Sequence, residues 1–166
     1  LRALRVGRAK RRAVLVLQLL PAGADHLPPV ILQRHREHAD LASGILRLGL
    51  ALLSQRRAVL LAAGHEVTTG EDGRAGLDLA LARPPNLVVT DVRMPVMDGW
   101  GLARALRSHP KTALVSIIFL TALDSPDDVL QGFKLGADDY IPKPFNSEEL
   151  LLRIQAVLKR VNKNPD

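Results

Sequence analysis

The sequence predicts an α/β fold in which a parallel sheet is covered by helices on both faces, and three observations predict it. Leu87 to Val89 is an unbroken apolar run and Val115 to Thr121 a nearly continuous one, each too short for a helix and bounded by polar residues. Such runs read as strands buried on both faces. They alternate with amphipathic segments of helical length, which implies right-handed βαβ crossovers. The predicted strands also end in polar side chains, Asp91, Thr121 and Lys143, and the carboxyl ends of parallel strands are where such sheets bind ligands.

A chain of 166 residues suits one domain with a proper core. Its 47% hydrophobic and 24% charged residues are a globular balance rather than a disordered one. The absence of cysteine excludes disulfides and thiolate metal sites. No apolar run approaches the roughly 20 residues of a transmembrane helix, so no membrane partner is expected. The net charge of +6 hides a division: residues 1–57 carry +8 and residues 58–166 carry −2.

The first segment carries Arg2, Arg5, Arg8, Lys10, Arg11 and Arg12, then the apolar run Ala13 to Leu20, then Pro21-Ala22-Gly23-Ala24. That order imitates a secretion signal, and its cations would also suit nucleic-acid phosphates. No aromatic residue interleaves with the charges to stack on bases, and a solvated extension is the favoured reading. His35 and His38 could share a helical face, but flanking arginines repel a divalent cation and no further ligand completes a site. They read as surface residues.

From about residue 50 the pattern is regular. Leu50 to Ala63 predicts a helix with Leu53, Val59, Leu60 and Ala63 roughly on one face and Gly64 as its stop. His65 to Thr69 predicts a strand, Gly70 to Gly73 a turn, and Arg74 to Ala82 a helix carrying Leu77, Leu79 and Leu81 and closed by Pro84-Pro85. After the Asp91 strand, Asp98 is placed to cap a helix running to Ser108, with Leu102, Ala105 and Leu106 inward. Beyond Thr121, Ser125, Pro126, Asp127 and Asp128 form a helix start, and Gly136 ends that helix. Asp139 to Ile141 predicts a short strand running into Lys143. Ser147-Glu148-Glu149 opens a last helix with Leu150, Leu151, Ile154, Val157, Leu158 and Val161 as its apolar stripe.

Three strand ends would thus bring a carboxylate, a hydroxyl and an ammonium to one rim. A carboxylate can attack phosphorus and carry the group as an acyl phosphate. The ammonium offsets charge on the transferred group and the hydroxyl donates to a phosphoryl oxygen. A phosphatase using an Asp nucleophile is disfavoured, because Arg93 stands where a second carboxylate two residues after Asp91 would be needed.

With these residues in view, the sequence resembles the receiver domain of two-component response regulators. The resemblance is carried by Asp91 with Met94-Pro95 and Met97-Asp98-Gly99, by Leu120-Thr121-Ala122, by Gly136-Ala137-Asp138-Asp139-Tyr140 and by Lys143-Pro144-Phe145, over about residues 55 to 161. It implies a flavodoxin-like, doubly wound parallel sheet of order 2-1-3-4-5, here with an atypical or displaced first strand. It further implies that Asp91 accepts a phosphoryl group from a histidine kinase or phosphotransfer protein, with Lys143, Thr121 and Ala122 binding it. Thr121 and Tyr140 would form the switch that reshapes the surface meeting a downstream protein target. The Lys143–Pro144 peptide is expected to be cis. Such a protein is a cytoplasmic phosphoprotein rather than an enzyme. Its Mg²⁺ would be held by Asp91, the backbone carbonyl of Arg93 and an acidic pair at the end of the first strand.

That acidic pair is missing. Counting back from Gly64 by the family's spacing lands on Arg47 and Leu48, and no acidic pair occurs before Glu66. Weak metal binding and impaired Mg²⁺-dependent phosphorylation are therefore expected, with Arg47 offered by spacing as a substitute positive charge. The first strand has two candidates, Ser43 to Leu48 by spacing and Ala13 to Leu19 by composition, the latter at the cost of a long excursion. The expected division is an extension over 1–42, a receiver-like domain over 43–161 and a tail over 162–166. A phosphorylation-independent interaction module and a nucleic-acid-associated protein using the basic segment remain alternatives. The sequence as it stands reads as a stand-alone receiver or a piece of a longer chain.

Overall fold

Strands that are apolar at every position send side chains to both faces and must be covered on two sides, and the chain does this with helices packed on each face of one five-stranded sheet. The computed structural model describes residues 12–16, 51, 54–122 and 134–161. The strands are β1 Arg12–Val16, β2 Glu66–Gly70, β3 Leu87–Asp91, β4 Ser116–Thr121 and β5 Asp139–Pro142. The helices are α1, helical over 54–62, α2 Gly73–Ala82, α3 Gly99–Ser108 and α4 Ser147–Val161. Every strand pair is parallel, in the order β2-β1-β3-β4-β5. This is the doubly wound order that the resemblance implied.

The central strand is the compositional candidate. Arg12 to Val16 pairs with Glu66 to Gly70 on one side, and Ala13 to Val16 pairs with Leu87 to Thr90 on the other. Part of the segment expected to be an extension is thereby the middle of the sheet, and the domain reaches upstream of residue 43. A strand with two neighbours and two covered faces favours continuous apolar residues, which the run from Ala13 supplies. Ser43 to Leu48, Arg47, His35, His38, the Ser125 helix start and the 162–166 tail lie outside the described residues.

Most element ends follow from local chemistry. Gly64 has φ +86°, and the backbone bonds from Gly64 N–H to the Leu61 carbonyl and from His65 N–H to the Leu60 carbonyl close α1 as a Schellman motif. Ala63, expected on the buried face, is exposed, because it stands at that cap. Gly70 extends β2 rather than starting the turn. Asp72 caps α2 by accepting from Ala75 N–H at 2.8 Å, and Asp98 caps α3 through Gly101 N–H at 2.6 Å. Asn146 does the same for α4 through Glu149 N–H at 2.7 Å.

The two faces of the sheet carry separate cores. On one, α2 and α3 pack Leu77, Ala80, Leu102 and Leu106 over Val88 and Phe119. On the other, Leu60, Ile154 and Val157 cover Leu87, Val89 and Ile118. The alternation along β3 is what sends Val88 to one side and its neighbours to the other. Trp100 and Ala103, rather than Ala105, complete the buried face of α3. Val161, expected in the stripe of α4, is 46% exposed, at the helix's last turn.

Candidate functional site

The rim at the carboxyl ends of β3, β4 and β5 carries the polar residues. Asp91 ends β3 and is only 2% exposed. In the register of β3 and β4 it stands opposite Leu120, so Thr121 is the next residue along the adjoining strand. Thr121 in turn pairs with Pro142, and Lys143 N–H donates to the Thr121 carbonyl at 2.7 Å. That bond starts Lys143 at the rim. Its ammonium reaches the Asp91 carboxylate at 2.6 Å from Oδ1, with a side chain only 25% exposed. Asp91 and Lys143 are therefore in contact, with Thr121 beside them at the same rim. The Lys143–Pro144 peptide is cis, as expected.

The loop after Asp91 is folded tightly back. Gly99 N–H donates to the Val92 carbonyl at 2.8 Å and Gly73 N–H to the Met97 carbonyl at 3.0 Å. A Cβ at Gly99 would overlap the Asp91 carbonyl oxygen, so only glycine allows α3 to start this close to Asp91. Val96, at the loop's exposed tip, takes φ +64°. A β-branched residue there is strained, on the order of 1–3 kcal/mol. Ala122 and Arg93 are both exposed beside the rim.

Tyr140 lies on β5 with its ring stacked on Phe119, centroids 5.6 Å apart, and Phe119 in turn packs on Trp100 at 4.5 Å. Burial pushes its phenol up from 10.0 to about 12. Below that range it is a neutral ring on an aromatic stack that runs from α3 to β5.

Sequence reasoning missed Arg56. Its guanidinium lies over the Phe145 ring, 4.5 Å from the centroid. Burial lowers its pKa, and the Asp91 carboxylate acts in the opposite sense. The signal was present in the helical period, which puts residue 56 one turn before buried Leu60 on the inward face of α1, a place for which an apolar residue is the rule.

Among the described residues no group of three or more carboxylates, imidazoles or thiols is placed to hold a metal ion. The chain leaves β1 as Leu17-Gln18-Leu19, none of them a carboxylate. Asp91 instead meets the Lys143 ammonium directly, and the Arg56 guanidinium on Phe145 lies within reach of its charge.

A family model described as the response regulator receiver domain matches residues 51–155. The chain belongs to that family. This receiver is 48% identical over 105 residues to the transcriptional regulatory protein RprY of Bacteroides fragilis, covering 63% of the chain and 44% of RprY. It is 41% identical over 103 residues to the DNA-binding dual master transcriptional regulator RpaA of Synechocystis, covering 62% of the chain and 43% of RpaA. The receiver thus spans less than half the length of these curated relatives. Its fold matches the chemotaxis response regulator CheY4 of Vibrio cholerae with a TM-score of 0.62 and 28% identity, over 89% of the receiver and 99% of CheY4. The receiver domain of a Pseudomonas aeruginosa sensor histidine kinase, solved with magnesium coordinated in its active-site cleft, shares the fold at a TM-score of 0.63 and 24% identity, over 91% of this chain and 99% of that one. No helix among the described residues is long and apolar enough to cross a membrane.

Proposed function

We propose that Asp91 is the phosphoryl acceptor of this two-component receiver, taking the group from a histidine kinase or phosphotransfer protein and passing the signal to a downstream protein through β5 and α4. The observation that carries the reading is the 2.6 Å contact between the Lys143 ammonium and the nearly buried Asp91 carboxylate, with Thr121 one residue along the next strand. A carboxylate oxygen bonds to phosphorus while the phosphorus–nitrogen bond of the donor breaks. The electron pair stays on the ring nitrogen, and the donor leaves as neutral imidazole when its other ring nitrogen is protonated. Lys143 offsets charge on the transferred group, the Thr121 hydroxyl and Ala122 N–H donate to its oxygens, and Tyr140 repacks as Thr121 moves.

The chain acts as a phosphoacceptor rather than a turnover enzyme, and the cytoplasm is the compartment in which histidine kinases of this class work on such partners. Its Mg²⁺ dependence is weak, because the described residues around Asp91 include no cluster of the carboxylates a hard dication needs. Incubation with a small phosphodonor, read by intact mass, tests the acceptor: wild type gains one phosphoryl group and Asp91→Asn gains none. Equal labelling of both would move the acceptor elsewhere. The basic first segment favours a second reading, contact with nucleic acid. Removing residues 1–10, which spares β1, should then abolish any salt-sensitive DNA binding.

A further inference from the structure

Arg56 is an unusual occupant of its position. Leu60, one turn on, is 1% exposed in the core cluster against which Phe145 packs, so the helical period turns residue 56 toward the sheet. The guanidinium covers the Phe145 ring at 4.5 Å. Phe145 follows by two residues the lysine whose ammonium sits 2.6 Å from Asp91. A guanidinium laid on an aromatic face is fixed in direction, and its in-plane N–H groups remain directed at oxygen ligands. It also stays charged at any physiological pH.

We propose that Arg56 and Lys143 form with Asp91 a fixed-cation pocket for a tetrahedral dianion, so that Asp91 is phosphorylated without a divalent cation. Among the described residues, Lys143 on the Asp91 carboxylate and Arg56 within reach of its charge set two cations against one carboxylate. An approaching phosphoryl group then meets attraction where a lone carboxylate would repel it, and preset charges need no reorganisation as the bond forms. The positive charge that spacing suggested at Arg47 is supplied from α1. The part of this inference that concerns phosphorylation rests on the acceptor reading, whereas the anion pocket stands apart from it.

Phosphoramidate is a suitable donor, because its balance needs nothing else. An Asp91 oxygen bonds to phosphorus, the phosphorus–nitrogen bond breaks, and the nitrogen, already carrying three protons in the zwitterion, leaves with the electron pair as ammonia. The full chain is labelled in EDTA and in Mg²⁺ as wild type, Arg56→Met, Arg56→Lys and Arg57→Met, the last removing an exposed cation from the same helix. Wild-type rates in the two media are expected to agree within about twofold, Arg56→Met to be slower in EDTA by about tenfold or more, Arg56→Lys to fall between, and Arg57→Met to be unchanged. A parallel titration with inorganic phosphate in EDTA, read from the amide signals of Thr121, Ala122 and Lys143, should show an affinity loss of about tenfold in Arg56→Met.

Labelling of wild type that requires Mg²⁺, or an Arg56→Met variant that matches wild type, overturns the pocket and leaves the acceptor reading intact. No label in any medium, with phosphate binding still dependent on Arg56, overturns the acceptor and keeps the pocket. The near-ultraviolet signal of Trp100 reports folding, and Arg56→Gln carries the same comparison if the methionine variant loses that signal.

Discussion

Tyr140 shows how one residue can link the packing to pH. Its phenol is raised from 10.0 to about 12 by burial against the aromatic stack, so the folded chain holds that proton more firmly than the unfolded chain does. The stabilisation is complete below the unfolded value near pH 10 and is lost as pH rises through the folded value. Urea midpoints of wild type and Tyr140→Phe should therefore diverge between about pH 8 and about pH 11, with wild type losing ground. A constant difference would mean that the phenol is not buried in solution. At this scale the trio of Asp91, Thr121 and Lys143 was legible because each member ends a strand or follows its last residue, and strand ends are visible as breaks in apolar runs. Arg56 was not, because a charged residue in a helix reads as solvated until the opposite face of α1 is known to be the exposed one.

Among the elements, the junction of α3, β4 and β5 depends on a single side chain. Arg107 donates to the carbonyls of Ala113 and Val115 at 3.0 and 2.7 Å and to that of Gly136 at 2.8 Å. It joins the end of α3 to the start of β4 and to the turn before β5. Burial lowers its pKa against the pull of Asp138, which itself accepts from Ile117 N–H at 2.8 Å. Arg107→Met should cost about 2 kcal/mol or more, since it strips a charged donor from three carbonyls, measurable as a lower denaturation midpoint with an unchanged slope. An effect within about 0.5 kcal/mol would show that water replaces it. Element types were readable throughout the described residues from residue 54 on, while strand or helix ends moved by a residue at Glu66, Gly70, Gly73, Ser116 and Pro142. The reasons are local: Asp72 as a cap competes with the turn that Gly70 to Gly73 suggested, and β5 extends to Pro142 because the bond to the Thr121 carbonyl comes from Lys143 N–H, so Pro142 needs no donor there.

For the molecule as a whole, the decisive question is which residues fill the middle of the sheet. Sequence left two candidates because spacing favoured Ser43 to Leu48 and composition favoured Ala13 to Leu19, and neither criterion by itself outranks the other. The sheet order makes β1 the sole bridge between β2 and the β3-β4-β5 half, and Ala13 within it is 1% exposed. Removing a strand with two partners exposes both neighbours' backbone donors and acceptors and the apolar faces beneath them, a loss far larger than the marginal stability of a domain this size. A chain beginning at residue 43 should therefore fail to fold, with collapsed amide dispersion and no cooperative thermal transition, whereas one beginning at residue 10 should retain both. If the shorter chain folds and is still labelled on Asp91, the middle of the sheet is filled from residues downstream of 43, and the long excursion after Val16 is not needed to build the site.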